Sequence, residues 1–128
     1  MQLVVRIVVG VVGLLGILLA ARFFQDPAAP AALLGVTPVG ELGTATLRGD
    51  FGGFFGVCGI FALAAAIRNS AALLTAPLLA IAIALTGRIV SYALDGGGST
   101  VAQPMLVELT LLVVFGIGWA TLARAARA

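Results

Sequence analysis

Between Leu3 and Phe24 the chain carries charge only near the two ends of the run, at Arg6 and Arg22. A helix needs about 20 predominantly apolar residues to cross the hydrocarbon core of a bilayer, and long arginine stems reach the interface from a turn inside. Three further runs of the same kind follow, Thr46–Ile67, Ala71–Leu94 and Pro104–Ala123. Four such runs in 128 residues leave no material for a second domain. A soluble fold is excluded by its own surface. Only 9% of the residues are charged, against about 25% in an ordinary soluble domain. The expectation is one integral membrane domain over residues 1–128, all-α, an antiparallel bundle of four transmembrane helices. A cleaved leader is the competing reading of the first run. Arg22, Gln25 and Asp26 argue against it, because they interrupt the chain before the alanine-rich residues 28–32.

The connections set the topology. Gln25 to Thr44 is the one long link, punctuated by Pro27, Pro30 and Pro38. Within it, residues 28–34 read either as a short interfacial helix stopped by Gly35 or as an irregular loop. Arg68-Asn69-Ser70 is a tight polar turn, so the second and third spans run antiparallel. Pro77 falls early in the third span, and Pro104 suits the first turn of the fourth. Four spans put both termini on one side, with Arg6, Arg68, Arg124 and Arg127. Asp26, Glu41, Asp95 and Arg22 fall on the other. The excess of arginine at the termini makes that side cytoplasmic, and Trp119 suits the headgroup region there.

Several kinds of chemistry are excluded. The sequence has no His, which removes the usual general base and the commonest metal ligand. A single cysteine, Cys58, permits neither an internal disulfide nor a cysteine-based zinc site, and in an apolar run it is a small hydrophobe. No metal and no cofactor is therefore expected. Two excess arginines are too few for a nucleic-acid footprint. The glycine-rich link from Asp95 to Thr100 has neither the strand nor the lysine of a phosphate loop and reads as a flexible turn. Arg48-Gly49-Asp50 and Asp50-Phe51-Gly52 match adhesion and kinase strings, but both lie in a membrane helix without their companion motifs. Asp50, Glu108 and Tyr92 are the only side chains fit for acid–base work, and the chain is expected to be non-enzymatic.

What remains is a layer of charge. Arg48 and Asp50 open the second span, Arg88 lies toward the end of the third, and Glu108 lies a turn into the fourth. With this topology the four share a depth at the outer interface, beside Ser91, Tyr92 and Gln103. Arg88 can pair with Asp50, with Glu108 or with both, since a guanidinium can bridge two carboxylates. Arg48 stands higher, toward water or headgroups. Gly49, Gly52, Gly53 and Gly56 form overlapping small-xxx-small pairs that would admit a close helix, as would Gly10, Gly13 and Gly16 on the first span. On the third span Ala76, Ala80, Ala84 and Arg88 make a smooth stripe. Leu79, Ile81, Ile83, Leu85 and Ile89 form the side suited to lipid. The layer is either a clamp fixing helix register or a polar site at the end of an apolar cavity.

Leu47-Arg48-Gly49-Asp50-Phe51-Gly52-Gly53, Thr86-Gly87-Arg88 and Val107-Glu108-Leu109, with the proline-containing link before Leu33-Leu34-Gly35, resemble the pattern of a bacterial four-helix membrane family catalogued as a domain of unknown function. More distantly the layout is similar to DoxX-like four-helix membrane proteins. The resemblance covers nearly the whole chain and implies Arg48, Asp50, Arg88 and Glu108 as signature positions. It implies no substrate. The functional expectation is a protein of the bacterial cytoplasmic membrane. It would bind or pass a lipid-like or amphipathic small molecule at the charged layer, with Arg88 holding the head group. The alternative is an accessory or assembly subunit, docking a second copy or a membrane partner, in which the layer is purely structural.

Overall fold

The computed structural model describes residues 1–96 and 98–126. Arg127, expected with the other terminal arginines, lies outside the described residues. Those described are all-α, with no strand. Helix α1 spans Gln2–Gln25 and α2 spans Ala28–Leu33. The second long helix runs Gly40–Arg68 as three pieces: α3 at Gly40–Thr46, a π-helical segment at Leu47–Phe51, and α4 at Gly52–Arg68. Helices α5 (Ala71–Asp95) and α6 (Ser99–Ala125) complete the chain. Four of these stretches are long and apolar enough to cross a bilayer, so the chain is a multi-pass membrane protein.

Two boundaries depart from the sequence reading. The second long helix begins at Gly40, ahead of Thr46, and the fourth begins at Ser99, ahead of Pro104. Pro104 thus lies inside α6. It forgoes only the bond to Thr100, whose exposed turn stands where solvent can serve the freed carbonyl. Residues 28–33 do form a helix. Gly35 ends it at φ +71°, while the amides of Gly35 and Val36 close back on the carbonyls of Ala32 and Ala31. At the α4–α5 turn Asn69 takes the same left-handed conformation, φ 54°. The Ser70 amide reaches the Ala65 carbonyl, and the Asn69 side chain accepts a 2.9 Å bond from Gln2. Asn69→Gly is expected to change stability by only about a few tenths of a kcal/mol, because the relief of the left-handed backbone offsets much of the lost Gln2 bond. Asn69→Ala should cost about 1–2 kcal/mol from strain plus the lost bond. Unfolding in detergent with each variant measures the difference.

Helices α1 and α4 meet at glycine. A Cβ on Gly13 would stand 2.6 Å from the Leu63 amide nitrogen, and one on Gly59 2.6 Å from that of Ile17. Backbone therefore lies on backbone here, and dispersion between main chains replaces interdigitated side chains. The expected glycine set on the second span needs correction. Gly49 and Gly53 have nothing within 4 Å of where a side chain would begin. Gly52 meets the Phe24 ring, Gly56 makes an ordinary contact with Ala20, and the close approach belongs to Gly59. The π turn at Leu47–Phe51 takes up an extra residue and changes the phase of Gly49, while in the regular α4 that follows Gly53 stands about 100° from the face of Gly52, Gly56 and Gly59.

The two paired helices share an arginine–glycine spacing. Gly10, Gly13 and Gly16 follow Arg6, and Gly53, Gly56 and Gly59 follow Arg48 at the same mutual spacing with one extra residue after the arginine. Each arginine binds the final carbonyls of the other helix. Arg6 donates to Ala66 (2.8 Å) and Ile67 (3.2 Å), and Arg48 donates to Phe24 (3.2 Å). The last carbonyls of a helix lack internal partners, so a cationic donor suits them twice over. The antiparallel helices thus cap each other at both ends, while the glycine contacts do not repeat: Gly13 is tight where Gly56 is at ordinary distance, and Gly53 is open.

The core has two parts. At the end carrying the termini, hereafter proximal, Val9, Ala62, Ala65, Leu74, Ile81, Phe115 and Leu122 pack from all four long helices. Ile81 therefore does not belong to the lipid-facing side; it continues the row of Leu74 and Pro77 that α5 buries. Leu79, Ile83 and Ile89 are exposed as expected, and Ala76, Ala80 and Ala84 are half-buried. At the distal end Phe23 stacks on Phe51 and Phe55 at 5.5 and 5.6 Å, with Ala31 and Leu47 buried beside them. This second cluster draws nothing from α5 or α6.

Candidate functional site

The core-facing rows of α5 and α6 end in a charge each. On α5 the row Leu74, Pro77, Ile81 continues to Arg88, and on α6 the row Leu122, Gly118, Phe115 continues to Glu108. Arg88 Nε donates to Glu108 Oε1 at 2.6 Å, and the side chains are 33% and 14% exposed. At about 1.5 Å of rise per residue, Asp50, Arg88 and Glu108 stand about 27, 26 and 26 Å along their helices from Arg68, Ala71 and Ala125. The three thus lie at similar distances along their helices. With the arginines of the proximal end at one boundary of a hydrocarbon core of about 30 Å, the layer falls near the opposite boundary.

The layer is less connected than its composition allows. Among the described residues Arg88 serves Glu108 alone, and Asp50, which is exposed, makes no ion pair. Arg48 is exposed and turns its Nε to the Phe24 carbonyl, so it belongs to the α1/α4 pairing. Tyr92 is half exposed and makes no side-chain hydrogen bond among the described residues, while Ser91 bonds Asp95 at 2.7 Å. Pairing leaves two things over. The terminal nitrogens of Arg88 have no hydrogen-bond partner among the described residues, and Glu108 Oε2 is buried without one.

Arg88 and Glu108 line neither of two apolar hollows. One, of about 520 Å³, lies beside the long connection and is lined by Val36, Pro38, Val39, Leu42, Leu47 and Phe51. The other, about 180 Å³, is a valine-lined groove between α1 and α6 at the proximal end. The expected apolar cavity beneath the charged layer is therefore not where these hollows are, and Arg88 opens toward the bundle's surface. Among the described residues no three acids or thiols gather to hold a metal. Cys58 is buried among the helices.

The sequence reading leaves Gly59 out of its packing set and does not compare α1 with α4. The signal was present in the repeated glycine spacing after Arg6 and Arg48, blurred by the one inserted residue. No protein-family model, curated protein or solved structure matches the chain.

Proposed function

We propose that this is a non-enzymatic protein of a bacterial cytoplasmic membrane that binds or passes a lipid-like amphiphile, holding its head group at the distal charged layer. On this reading the chain belongs with the bacterial four-helix family its motifs resemble. The termini, with Arg6, Arg68 and Arg124 at their end, face the cytoplasm, and the layer lies in the outer leaflet. One observation carries the proposal. Arg88 is fixed through Nε by Glu108, while its outer nitrogens have no partner among the described residues. A guanidinium held on one edge presents the other as a ready bidentate donor to phosphate or carboxylate.

Native mass spectrometry of the protein extracted with its own lipids, beside Arg88→Ala, tests this. The expected result is an amphiphile of defined mass on the wild type that is lost from a folded variant. A folded variant that keeps it, or a wild type that never carries one, would count against the reading. A second reading, an accessory subunit, is favoured by Val39 and Leu42, which line the distal hollow and are each more than four-fifths exposed. Co-purification of a stoichiometric membrane partner that is lost on Leu42→Ser would support it.

A further inference from the structure

The Arg88–Glu108 pair is electrically neutral, and it uses only half of the carboxylate. Arg88 Nε donates to Oε1 at 2.6 Å. Oε2 is buried and has no hydrogen-bond partner among the described residues. A neutral carboxyl differs from a carboxylate at one oxygen: its carbonyl still accepts a bond, and its other oxygen carries the proton. Glu108 can therefore take a proton on Oε2 and still hold Arg88 through Oε1.

No second cation shares the load. Helices α5 and α1 pack against α6. On α5, Arg88 alone among the described residues lies within ion-pair distance of Glu108. Tyr92 stands one turn beyond Arg88 with no side-chain hydrogen bond among the described residues, and Asp95 accepts a bond from Ser91. The charges of α1 are Arg6, held by the Ala66 and Ile67 carbonyls, and Arg22, exposed near the distal end. Helix α6 itself adds Arg124 in its last turn. Asp50 stands on a segment packed against α1, α3 and α4.

An anionic head group on the outer edge of Arg88 would make two anions share one guanidinium. Glu108 is only 14% exposed, so water screens that repulsion poorly. Of two like charges sharing a site, one is driven to neutralise. A phosphodiester keeps its charge at any ordinary pH, so Glu108 is the member that yields. Ionisable side chains within membrane helices mark ion pathways and proton relays. Resting on the reading of Arg88 as head-group anchor, we infer that binding of the anion is coupled to uptake of one proton by Glu108. As the anion docks on Arg88, the carboxylate and one proton from water become a neutral carboxyl, and the site returns to zero net charge. Proton and anion then raise each other's affinity by the same factor.

The test titrates the detergent-solubilised protein with a short-chain phosphatidylglycerol at stepped pH. The proton favours binding, so wild-type affinity should fall as pH rises, by about ten-fold per pH unit where Glu108 is charged in the free protein. Mixing in weak buffer should take up about one proton per anion bound. Glu108→Gln keeps an acceptor for Arg88 Nε without the charge. It should bind as tightly as the wild type at its acidic limit, with the pH dependence gone, whereas a Glu108 that merely orients Arg88 predicts no such loss. Glu108→Asp should retain the pH dependence, which keeps the test open if Glu108→Gln loosens the fold. Arg88→Gln should bind no anion. Soluble glycerophosphoglycerol, run alongside, separates the two sources of the phosphodiester: proton uptake with it assigns the coupling to the head group alone, and uptake with the lipid only assigns it to the amphiphile. Arg88-dependent binding without proton uptake, or an unchanged pH dependence in Glu108→Gln, overturns the coupling and keeps the anchor. Binding that ignores Arg88 overturns the anchor itself.

Discussion

Gly59→Leu is expected to prevent assembly of the α1/α4 pair. A Cβ at Gly59 already falls 2.6 Å from the Ile17 amide and 2.7 Å from the Gly13 carbonyl, and neither atom is the end of a flexible side chain that can swing away. The helices must separate, and they surrender the backbone contact along the crossing with it. Ordinary overpacking in a core costs about 1–3 kcal/mol. Here the obstacle is main chain on both sides, so the loss should exceed that range, and Gly59→Ala should already cost about 2 kcal/mol. Gly87→Ala is the matched control. Gly87 is exposed on α5 with nothing within 4 Å, and the substitution should be neutral or gain up to about 1 kcal/mol from helix propensity. Reversible unfolding in mixed micelles reads all three. A Gly59→Ala protein as stable as Gly87→Ala would mean that the crossing is looser than the structure has it.

The second large effect concerns the ion pair. Removing Arg88 by Arg88→Gln leaves Glu108 with a buried oxygen and no cation, and should destabilise the bundle by about 2–3 kcal/mol. That lies below the 3–5 kcal/mol typical of a fully buried pair, because Arg88 is one-third exposed and water or headgroups can reach the site. Glu108→Gln should cost less, since the remaining guanidinium can turn outward to the interface. The double variant should recover much of the loss, because it removes both charges together. A double-mutant cycle therefore separates coupling from the solitary charge, and an additive cycle would show that the pair contributes nothing as a pair. The same variants report ligand loss independently, because binding is read by mass and stability by unfolding.

The number and order of the spans were legible from hydropathy alone, because lipid tolerates no other arrangement of four apolar runs. The tight turn at Asn69 was legible from local chemistry, whereas the short helix ending at Gly35 was left open against an irregular loop and was decided by the structure. The similar distances of the charges along their helices followed from counting at fixed rise. The candidate site was legible only as a set. Arg88, Glu108 and Asp50 were named, but which acid would take Arg88 was open, and Tyr92 joined the set by depth without joining it by contact.

The remaining features depended on helix phase, which residue spacing determines only while the helix stays regular. The π turn at residues 47–51 breaks that regularity and shifts Gly49, and within the regular α4 it is Gly52, Gly56 and Gly59, not Gly53, that share the face turned to α1. Ile81 changes sides for a related reason. Every face of a membrane helix is apolar, so composition does not mark which one the neighbouring helix buries. By itself, then, the sequence determined that four helices are long and apolar enough to cross a membrane, because that follows from transfer free energy and a constant rise per residue. Only the tertiary structure decided which faces meet, which acid holds Arg88 and which is left without a partner. Those outcomes depend on rotation about the helix axes, and no solvent contrast in the sequence encodes it.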